Sequence, residues 1–262
     1  MSITVAAVSE RGDRAVNEDA FNFVAGDGLG CFVLADGAGG HDHGDVASKA
    51  VVKEMLGAFS EQPAISKDVL QRGLDLARSS LDRERRFHEG AGRMDSTVAC
   101  LLLDATAGRA LWLQLGDSRI YLFRNQRAHL LTRDHSVLQS VIDAGLHRGS
   151  VRGAVDRNRL YASVCAEEQP ADMLSAEPLG VEDADMFLLC SDGFWDAVDE
   201  PLMEGCLRQS RNPREWLDKL FSEGRPVGGS WDDNATALAV WLGCKDETTF
   251  FGTRQDRGSE IV

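Results

Sequence analysis

The chain lacks the segments that direct a protein to or across a membrane. Its N-terminus has no basic stretch followed by an apolar core, so no signal peptide is expected. No run approaches the roughly 18 apolar residues of a membrane-spanning helix. The six cysteines, at positions 31, 100, 165, 190, 206 and 244, include no C-x-x-C pair. These absences predict a cytoplasmic protein with no membrane insertion, whose thiols act as small buried hydrophobic groups rather than as zinc ligands, disulfides or a catalytic nucleophile.

Basic residues are also scarce. Lysine and arginine total 28 against 42 aspartate and glutamate residues, and the net charge is −14. No basic stripe is available to neutralise phosphates, which argues against a nucleic-acid partner. The acidic balance is compatible with cation binding, although many proteins are acidic for solubility alone. No G-x-G-x-x-G or Walker spacing indicates a nucleotide, and the carboxylate spacing does not fit an EF-hand.

No internal repeat and no Pro/Ser-rich linker divides the 262 residues. A chain of this length can bury a large core, and we expect one domain over residues 1–243, followed by a polar tail at 244–262. Residues 145–170 are weakly patterned, with glycines at 145, 149 and 153. Long irregular segments inside compact domains are usually functional or mobile, so we predict a surface flap there. The expected state is a monomer.

The hydrophobic periodicity predicts strands at 3–8, 20–25, 31–35, 96–103, 110–115, 119–124, 128–132, 173–179, 185–191 and 235–242. It predicts substantial helices at 45–60, 66–88, 198–210 and 213–223, and a short one within 133–144. Helices therefore come in pairs between runs of strands and do not alternate with them. This order argues against a doubly wound parallel sheet. It favours an α+β fold of mostly antiparallel sheets covered by helix pairs.

Acidic residues stand where apolar runs end. Asp36-Gly37 follows the run 32–35, and Asp192 follows the run 187–190 and is itself followed by glycine. A carboxylate at the end of a buried strand, followed by glycine, can present its oxygens and a backbone carbonyl to a hard cation. Asp19 and Asp233 also lie at strand boundaries. Four acids can converge only if a cation neutralises them or some of them take up protons.

Oxygen ligands select magnesium or manganese over zinc or copper. Two such cations that share a water molecule lower its pKa, which suits phosphoryl transfer. Arg14 lies shortly before Asp19, and its planar guanidinium could hold two phosphate oxygens. For any one of these acids taken alone, a turn or cap role is the simpler interpretation, because Asp-Gly is primarily a turn signal.

Six segments, in order along the chain, resemble the motifs of the metal-dependent serine/threonine protein phosphatases of type 2C, the PPM family. They are RAVNED (14–19), DGAGGH (36–41), LGDSR (115–119), LTRDHS (131–136), SDGFWD (191–196) and DNAT (233–236). Each motif alone is weak, but their joint order makes chance a poor explanation. The resemblance runs from Arg14 to about Leu242 and is typical of bacterial members that consist of the phosphatase domain alone.

The resemblance implies a site with two Mn²⁺ or Mg²⁺ ions. Asp36 and the Gly37 carbonyl would contact both ions, and Asp192 and Asp233 would hold one of them. Asp19 would contribute partly through bound water. Two further residues belong to the implied site: Glu18 would act through water, and Arg14 would bind the substrate phosphate.

The implied fold is a sandwich of two antiparallel sheets flanked by helix pairs, in αββα layers. The implied reaction is one-step hydrolysis of phosphoserine or phosphothreonine in proteins by a hydroxide that bridges the two ions, without a covalent phosphoenzyme. Such an enzyme would oppose a bacterial serine/threonine kinase, and some members of the family regulate secretion machinery. The alternative is a weakly active or inactive phosphatase-like protein that binds a signalling partner.

The chain departs from the family pattern at three places. Ala38 replaces a methionine or histidine, so no side chain at 38 can protonate the leaving oxygen. Asp95 replaces the glycine of Met-Gly-Thr-Thr (94–97), and we consider it as a ligand of a third, weaker metal. Residues 158–165, NRLYASVC, fit the family's Asn-x-Leu-Thr-Arg-Ala-Leu-Gly only loosely.

The remaining polar residues of the motifs have simpler interpretations. We expect His41 and His43 to be polar loop residues, since hard cations prefer oxygen to imidazole. We expect Asp117 and Arg119 to form a buried structural pair. Asp134 and His135 are predicted to lie at a helix entry or turn.

Overall fold

The computed structural model describes residues 1–38, 43–87, 94–145, 159–167, 169–225 and 229–243. Three groups of residues with predicted roles lie outside the described residues. They are the loop residues Gly39, Gly40 and His41, most of the predicted flap (146–158 and 168) and the predicted tail (244–262).

The first sheet contains five strands in the order β1-β11-β10-β7-β8. Their bounds are β1 Ile3–Glu10, β7 Arg119–Arg124, β8 Arg127–Leu130, β10 Met186–Cys190 and β11 Ala235–Leu242. All of these pairings are antiparallel. Strand β11 is buried along its whole length because it lies between β1 and β10 and is covered on both faces.

The second sheet has the order β2-β3-β5-β6-β9, with the short strand β4 paired to the end of β3. The bounds are β2 Asp19–Gly26, β3 Leu29–Ala38, β4 Asp95–Ser96, β5 Val98–Asp104, β6 Arg109–Leu115 and β9 Leu179–Gly180. These pairings are antiparallel as well. A tight turn with Asp27 and Gly28 at positive φ joins β2 to β3, as their Gly/Asp composition indicates.

Two pairs of helices cover the outer faces. Helices α1 (Gly44–Glu61) and α2 (Lys67–Phe87) pack on the second sheet, and α5 (Glu200–Arg208) and α6 (Pro213–Glu223) pack on the first. The start of α6 is set by Asn212, whose side chain accepts a hydrogen bond from Glu215 N, and by Pro213 in the first turn. Helices α3 (Val137–Asp143) and α4 (Asp192–Trp195) are short. None of the helices in the described ranges is long and apolar enough to cross a bilayer.

Three layers of apolar side chains hold these elements together. One lies between the first helix pair and the second sheet, one between the two sheets, and one between the first sheet and the second helix pair. This arrangement confirms the predicted α+β fold, with two antiparallel sheets packed as a sandwich and flanked by helix pairs.

Two strand predictions need correction. Residues 173–179 do not form a strand; only Leu179 and Gly180 pair with β6, together with one isolated bridge from Leu174. Strand β3 does not end before Asp36 but continues to Ala38, because Gly37 and Ala38 pair with β4.

The described residues of the predicted flap include Gly145, 159–167 and Gln169–Pro170. Ala162 and Val164 are 1% and 0% exposed and pack into the layer beneath the first helix pair. This part of the segment is therefore held in the protein and does not lie wholly on its surface.

Candidate catalytic centre

Asp19 and Asp36 lie directly opposite each other in the antiparallel pairing of β2 with β3. Asp19 is only 7% exposed. Its Oδ2 accepts a hydrogen bond of 2.7 Å from Ser191 Oγ, whereas its buried Oδ1 has no hydrogen-bond partner. Because Ser191 follows a strand of the first sheet, this bond ties the two sheets together at the end where the acids lie.

The backbone of Asp36 is fixed from the neighbouring strands. Its N–H donates to Thr97 Oγ1 at 2.9 Å, and its carbonyl accepts from Thr97 N at 2.8 Å and from Ser96 Oγ at 3.0 Å. The next residue is glycine because the chain passes very close to the start of α1. A Cβ at Gly37 would lie 2.0 Å from the carbonyl oxygen of Gly44.

Asp192 and Asp233 come from the first sheet. Asp192 opens α4 after β10, and Asp233 lies just before β11. Since β10 and β11 are antiparallel neighbours, these two ends meet at one edge of the sheet. Arg14 Nη2 donates to Asp233 Oδ2 at 2.6 Å, so the predicted phosphate ligand lies beside the acids.

The acids perturb one another. Burial raises the pKa of Asp19 to about 7, and the negative charges of Asp192 and Asp233 add to this effect. The pKa of Asp36 is raised well above its usual value, first by burial and then by the charges of Asp19 and Asp192. The pKa of Asp192 is raised as well, first by burial and then by the charge of Asp233. Such mutual perturbation is typical of functional sites.

A cavity of about 410 Å³ opens beside the acids. Its lining includes Arg14, Asp192 and Asp233 and, from α3, Leu138, Gln139 and Ile142. Although the acidic groups lie near one another, no three His, Cys, Asp or Glu side chains among the described residues are arranged to hold an ion as they stand.

Comparison with known proteins decides the family. A family model described as Protein phosphatase 2C matches residues 8–243. The chain belongs to this family.

Members similar to this phosphatase include a serine/threonine phosphatase, stp, of Listeria monocytogenes. It is 27% identical over 215 residues, which is 79% of this chain and 82% of the relative. The solved catalytic domain of the serine/threonine protein phosphatase PstP in complex with two manganese ions has a TM-score of 0.76 and 27% identity, over 92% of this chain and 98% of that one. PppA of Pseudomonas aeruginosa, described as a key regulatory component of T6SS, has a TM-score of 0.72 and 30% identity, over 92% and 98%. The chain is thus a protein phosphatase 2C, and its relatives stp and PstP are named serine/threonine phosphatases.

In this phosphatase the predicted pair of Asp117 with Arg119 does not form, so that prediction is wrong. Arg119 instead makes a two-pronged ion pair with Asp134, at 2.9 and 2.7 Å, and its guanidinium carbon lies 3.5 Å from the centre of the Trp195 ring. Asp117 faces the acids: its pKa is raised well above the usual value by burial and by the charge of Asp192. Asp134 therefore serves as the partner of Arg119, and Ser136 is the residue that caps α3.

Glu18 and His43 lie where the N-terminal loop meets α1. Burial raises the pKa of Glu18, and its Oε1 lies 2.4 Å from where a Cβ on Gly44 would be. His43 precedes the first residue of α1, and its side chain does not cap the helix. His135 is fully buried, and burial lowers its pKa.

Asp95 lies in β4, where it pairs with Ala38 at the end of the strand that carries Asp36. Its Oδ1 accepts hydrogen bonds from Ser96 N at 2.7 Å and Cys165 N at 3.0 Å, and its Oδ2 accepts one from Ser163 Oγ at 2.5 Å. The protein itself therefore occupies both oxygens of this carboxylate.

Two supporting residues received no role from the sequence motifs. One is Ser191, which binds Asp19. The other is Asn234, which is 6% exposed. Asn234 accepts from Glu18 N at 2.8 Å and donates to the carbonyls of Arg11 at 2.7 Å and Val16 at 3.1 Å. It thereby holds the loop that carries Arg14. Its place directly after Asp233 was the one available signal.

Proposed function

We propose that this phosphatase hydrolyses phosphoserine and phosphothreonine in proteins with two divalent cations, Mn²⁺ or Mg²⁺, and without a covalent phosphoenzyme. The cations would be held by Asp19, Asp36, the Gly37 carbonyl, Asp192 and Asp233. The observation that carries the proposal is the meeting of four acids from two sheets beside one arginine. Residues 1–243 would constitute the catalytic domain.

The chemistry of these residues fits hard cations. The donors are all oxygen atoms, and one of them, Asp19 Oδ1, is buried without a hydrogen-bond partner. The pKa values of Asp19, Asp36 and Asp192 are raised first by burial and then by repulsion between the acids, and a bound cation would offset both effects. When bound, two such cations lower the pKa of a shared water molecule and neutralise phosphate oxygens.

Arg14 is placed to orient the substrate. Its side chain is 52% exposed, and one N–H group is used by Asp233. The remaining N–H groups can donate to two oxygens of a phosphate that enters the cavity. The ion pair with Asp233 fixes the guanidinium next to the acids, so that a bound phosphate would lie between the arginine and the cations.

The leaving alkoxide must take its proton from solvent. Ala38 is exposed and has no ionisable group, so it supplies none. The thiols do not substitute as nucleophiles. Burial raises the pKa of Cys165 to about 12 and that of Cys206 to about 11, and it raises those of Cys31 and Cys190 as well. A thiol nucleophile needs a lowered pKa, which none of these four shows.

Any third cation is better served by Asp117 than by Asp95. The Asp117 carboxyl faces Asp192 and Asp36 and lines the cavity. The Asp95 carboxylate already accepts three hydrogen bonds from the protein. Glu18, beside Gly44, would contribute to the site through water.

The similarity to PppA supports a role in regulating secretion, in opposition to a serine/threonine kinase. We place such a role in the cytoplasm, with a monomeric enzyme. The competing function, a phosphatase-like protein that binds a phosphorylated partner without turnover, is motivated by Ala38 and Asp95. The presence of all four acids favours the enzyme.

Turnover of a phosphothreonine peptide separates the two functions. We expect hydrolysis with added Mn²⁺ or Mg²⁺, its loss in EDTA, its recovery when excess metal is restored, and no effect of iodoacetamide. Binding of the peptide without metal-dependent phosphate release would support the regulator instead. Size-exclusion chromatography of the same sample tests the monomer.

A further inference from the structure

The two places where this chain departs most from the family pattern contact each other. Asp95 stands where the pattern has glycine, and residues 163–165 belong to the loosely fitting segment. The Asp95 carboxylate binds Ser163 Oγ at 2.5 Å and Cys165 N at 3.0 Å. We call this set of contacts, made by Asp95, Ser163 and Cys165, the Asp95 clasp.

On one side, the clasp is continuous with the strand that carries Asp36. Asp95 Oδ1 also accepts from the N–H of Ser96, whose hydroxyl donates to the Asp36 carbonyl at 3.0 Å. The Ser96 carbonyl in turn accepts from Val164 N at 2.9 Å. Asp95 and Ser96 thus bind residues 163–165, and Ser96 also binds the backbone of the catalytic acid Asp36.

On the other side, the same segment holds the start of α3. Leu160 forms an isolated bridge with Ser136, Tyr161 N donates to the His135 carbonyl at 2.9 Å, and Val137 N donates to the Arg159 carbonyl at 2.8 Å. Helix α3 forms part of the wall of the cavity that Arg14 also lines. Residues 159–165 therefore connect this wall to the strand of Asp36.

The connection is anchored between its two ends. Ala162 and Val164 are buried, and the Val164 carbonyl accepts from Arg78 Nε of α2 at 2.7 Å. Asp95 supplies the charged group in this connection, and hydrogen bonds to a carboxylate are about twice as strong as those between neutral groups. Its loss would leave the Ser163 hydroxyl and the Cys165 N–H without their acceptor.

We propose that Asp95 is a positioning residue that sets the α3 wall of the cavity relative to Asp36, and so orients the phosphoprotein chain around its phosphorylated residue. This inference rests on the proposed function for its effect on turnover. In this proposal Asp95 is not a metal ligand. It acts on the cavity through its contacts with Ser163 and Cys165, which connect it to α3.

The test compares Asp95→Ala, Asp95→Asn and Ser163→Ala with a matched control, Asp68→Ala, which removes an exposed acid of α2. Asparagine can still accept from the two backbone N–H groups and bind Ser163 Oγ, but it has no charge for a cation. We expect Asp95→Ala to lower kcat/KM for a phosphothreonine peptide about 10- to 100-fold, as is typical of small displacements in active sites. Ser163→Ala should act in the same direction with a smaller effect, and Asp95→Asn should restore most of the activity.

Two readouts distinguish the clasp from a metal ligand. The Mn²⁺ concentration for half-maximal activity should be unchanged in all variants. The kcat/KM for p-nitrophenyl phosphate, which has no peptide chain for α3 to orient, should fall much less than for the peptide. A large rise in the Mn²⁺ requirement, with Asp95→Asn as impaired as Asp95→Ala, would overturn the inference. Unaltered peptide kinetics in both Asp95→Ala and Ser163→Ala would also overturn it.

A measurement without turnover separates failure of the clasp from failure of the proposed function. Hydrogen exchange of the Val164 and Cys165 amides should accelerate at least about tenfold in Ser163→Ala and Asp95→Ala, because their local opening becomes easier. If hydrogen exchange of these two amides were unchanged, the Asp95 clasp would be ruled out, even if the protein proved to be an active phosphatase. If exchange were faster in the variants but the wild-type protein showed no metal-dependent turnover, the Asp95 clasp would be supported and the proposed function would be rejected.

Discussion

Asp19 and Asp36 face each other across the pairing of β2 with β3, with the unpartnered Oδ1 of Asp19 buried between the two sheets. Like charges directly opposite each other in a sheet are destabilising. The protein places Asp192 and Asp233 beside them and raises the pKa of Asp19 to about 7. The candidate catalytic centre is therefore a locally unfavourable arrangement, which the rest of the fold holds in place and which cations would relieve.

The stability of the protein in EDTA should fall as pH rises. Asp19 has a pKa of about 7 in the folded state, against about 3.9 in an unfolded chain, so the folded state binds more protons between these values. The stabilisation is complete below the unfolded pKa and is lost as pH rises through the folded one. Thermal unfolding in EDTA should occur at a lower temperature at pH 8 than at pH 6, and Mn²⁺ should raise the unfolding temperature more at pH 8.

Asp19→Asn provides the control for this pH dependence, because it keeps the shape of the side chain and removes its charge. The difference in unfolding temperature between pH 6 and pH 8 should shrink in this variant. A wild-type protein that becomes more stable in EDTA as pH rises from 6 to 8 would contradict the argument.

Asp192→Asn should abolish most of the phosphatase activity. The amide loses the negative charge that a cation needs, while the start of α4 and the shape of the side chain are retained. Residues that only support metal ligands typically contribute roughly 10- to 100-fold to activity, so a ligand itself should cost more than that. The measurement is Mn²⁺-dependent hydrolysis of p-nitrophenyl phosphate, with Asp75→Asn on α2 as the matched control. If Asp192→Asn kept activity within tenfold of wild type, Asp192 would not be a metal ligand of the proposed site.

Arg14→Ala should weaken substrate binding. Hydrogen bonds to a charged partner contribute about 1.5–3 kcal/mol, so KM for a phosphothreonine peptide should rise about 10- to 100-fold. Arg14→Lys keeps the charge but lacks the planar pair of donors, and its KM should lie between those of the alanine variant and the wild type. Arg72→Ala, which removes an exposed arginine of α2, is the control. Equal KM values for Arg14→Ala and wild type would show that another group binds the phosphate.

Asn234→Ala should destabilise the protein by about 1–2 kcal/mol, because it leaves the N–H of Glu18 and two backbone carbonyls without their partner at a partly buried site. Urea denaturation followed by tryptophan fluorescence measures this change. Asn22→Ala on the exposed face of β2 is the matched control and should change the midpoint little. If both variants unfolded at the wild-type midpoint, Asn234 would not be anchoring the N-terminal loop.

The sequence was sufficient to predict the layers of the fold and to predict that the four acids lie close together. Buried strands produce apolar runs, and the acids that end those runs meet where antiparallel strands pair. It was insufficient at Asp117, which we expected to pair with Arg119. The chain reaches Gly116 with φ of 97° and β7 begins only at Arg119, so Asp117 lies in a turn and faces the acids.

Residues 173–179 show a related difficulty. Their apolar pattern is typical of a strand, yet only Leu179, with Gly180, forms a strand paired with β6, and Leu174 adds one isolated bridge to Leu113. Met173 and Leu174 instead pack against the layer beneath the first helix pair. Periodicity reports which side chains are buried, but the backbone partner that makes a strand comes from distant parts of the chain.

Diffraction at the manganese absorption edge, from crystals grown with Mn²⁺, tests the central claim most directly. The account predicts two anomalous peaks about 3.5–4 Å apart, both in contact with Asp36 and enclosed by Asp19, Asp192 and Asp233. Crystals with no manganese peak among these four side chains, or with peaks only elsewhere on the protein, would contradict it.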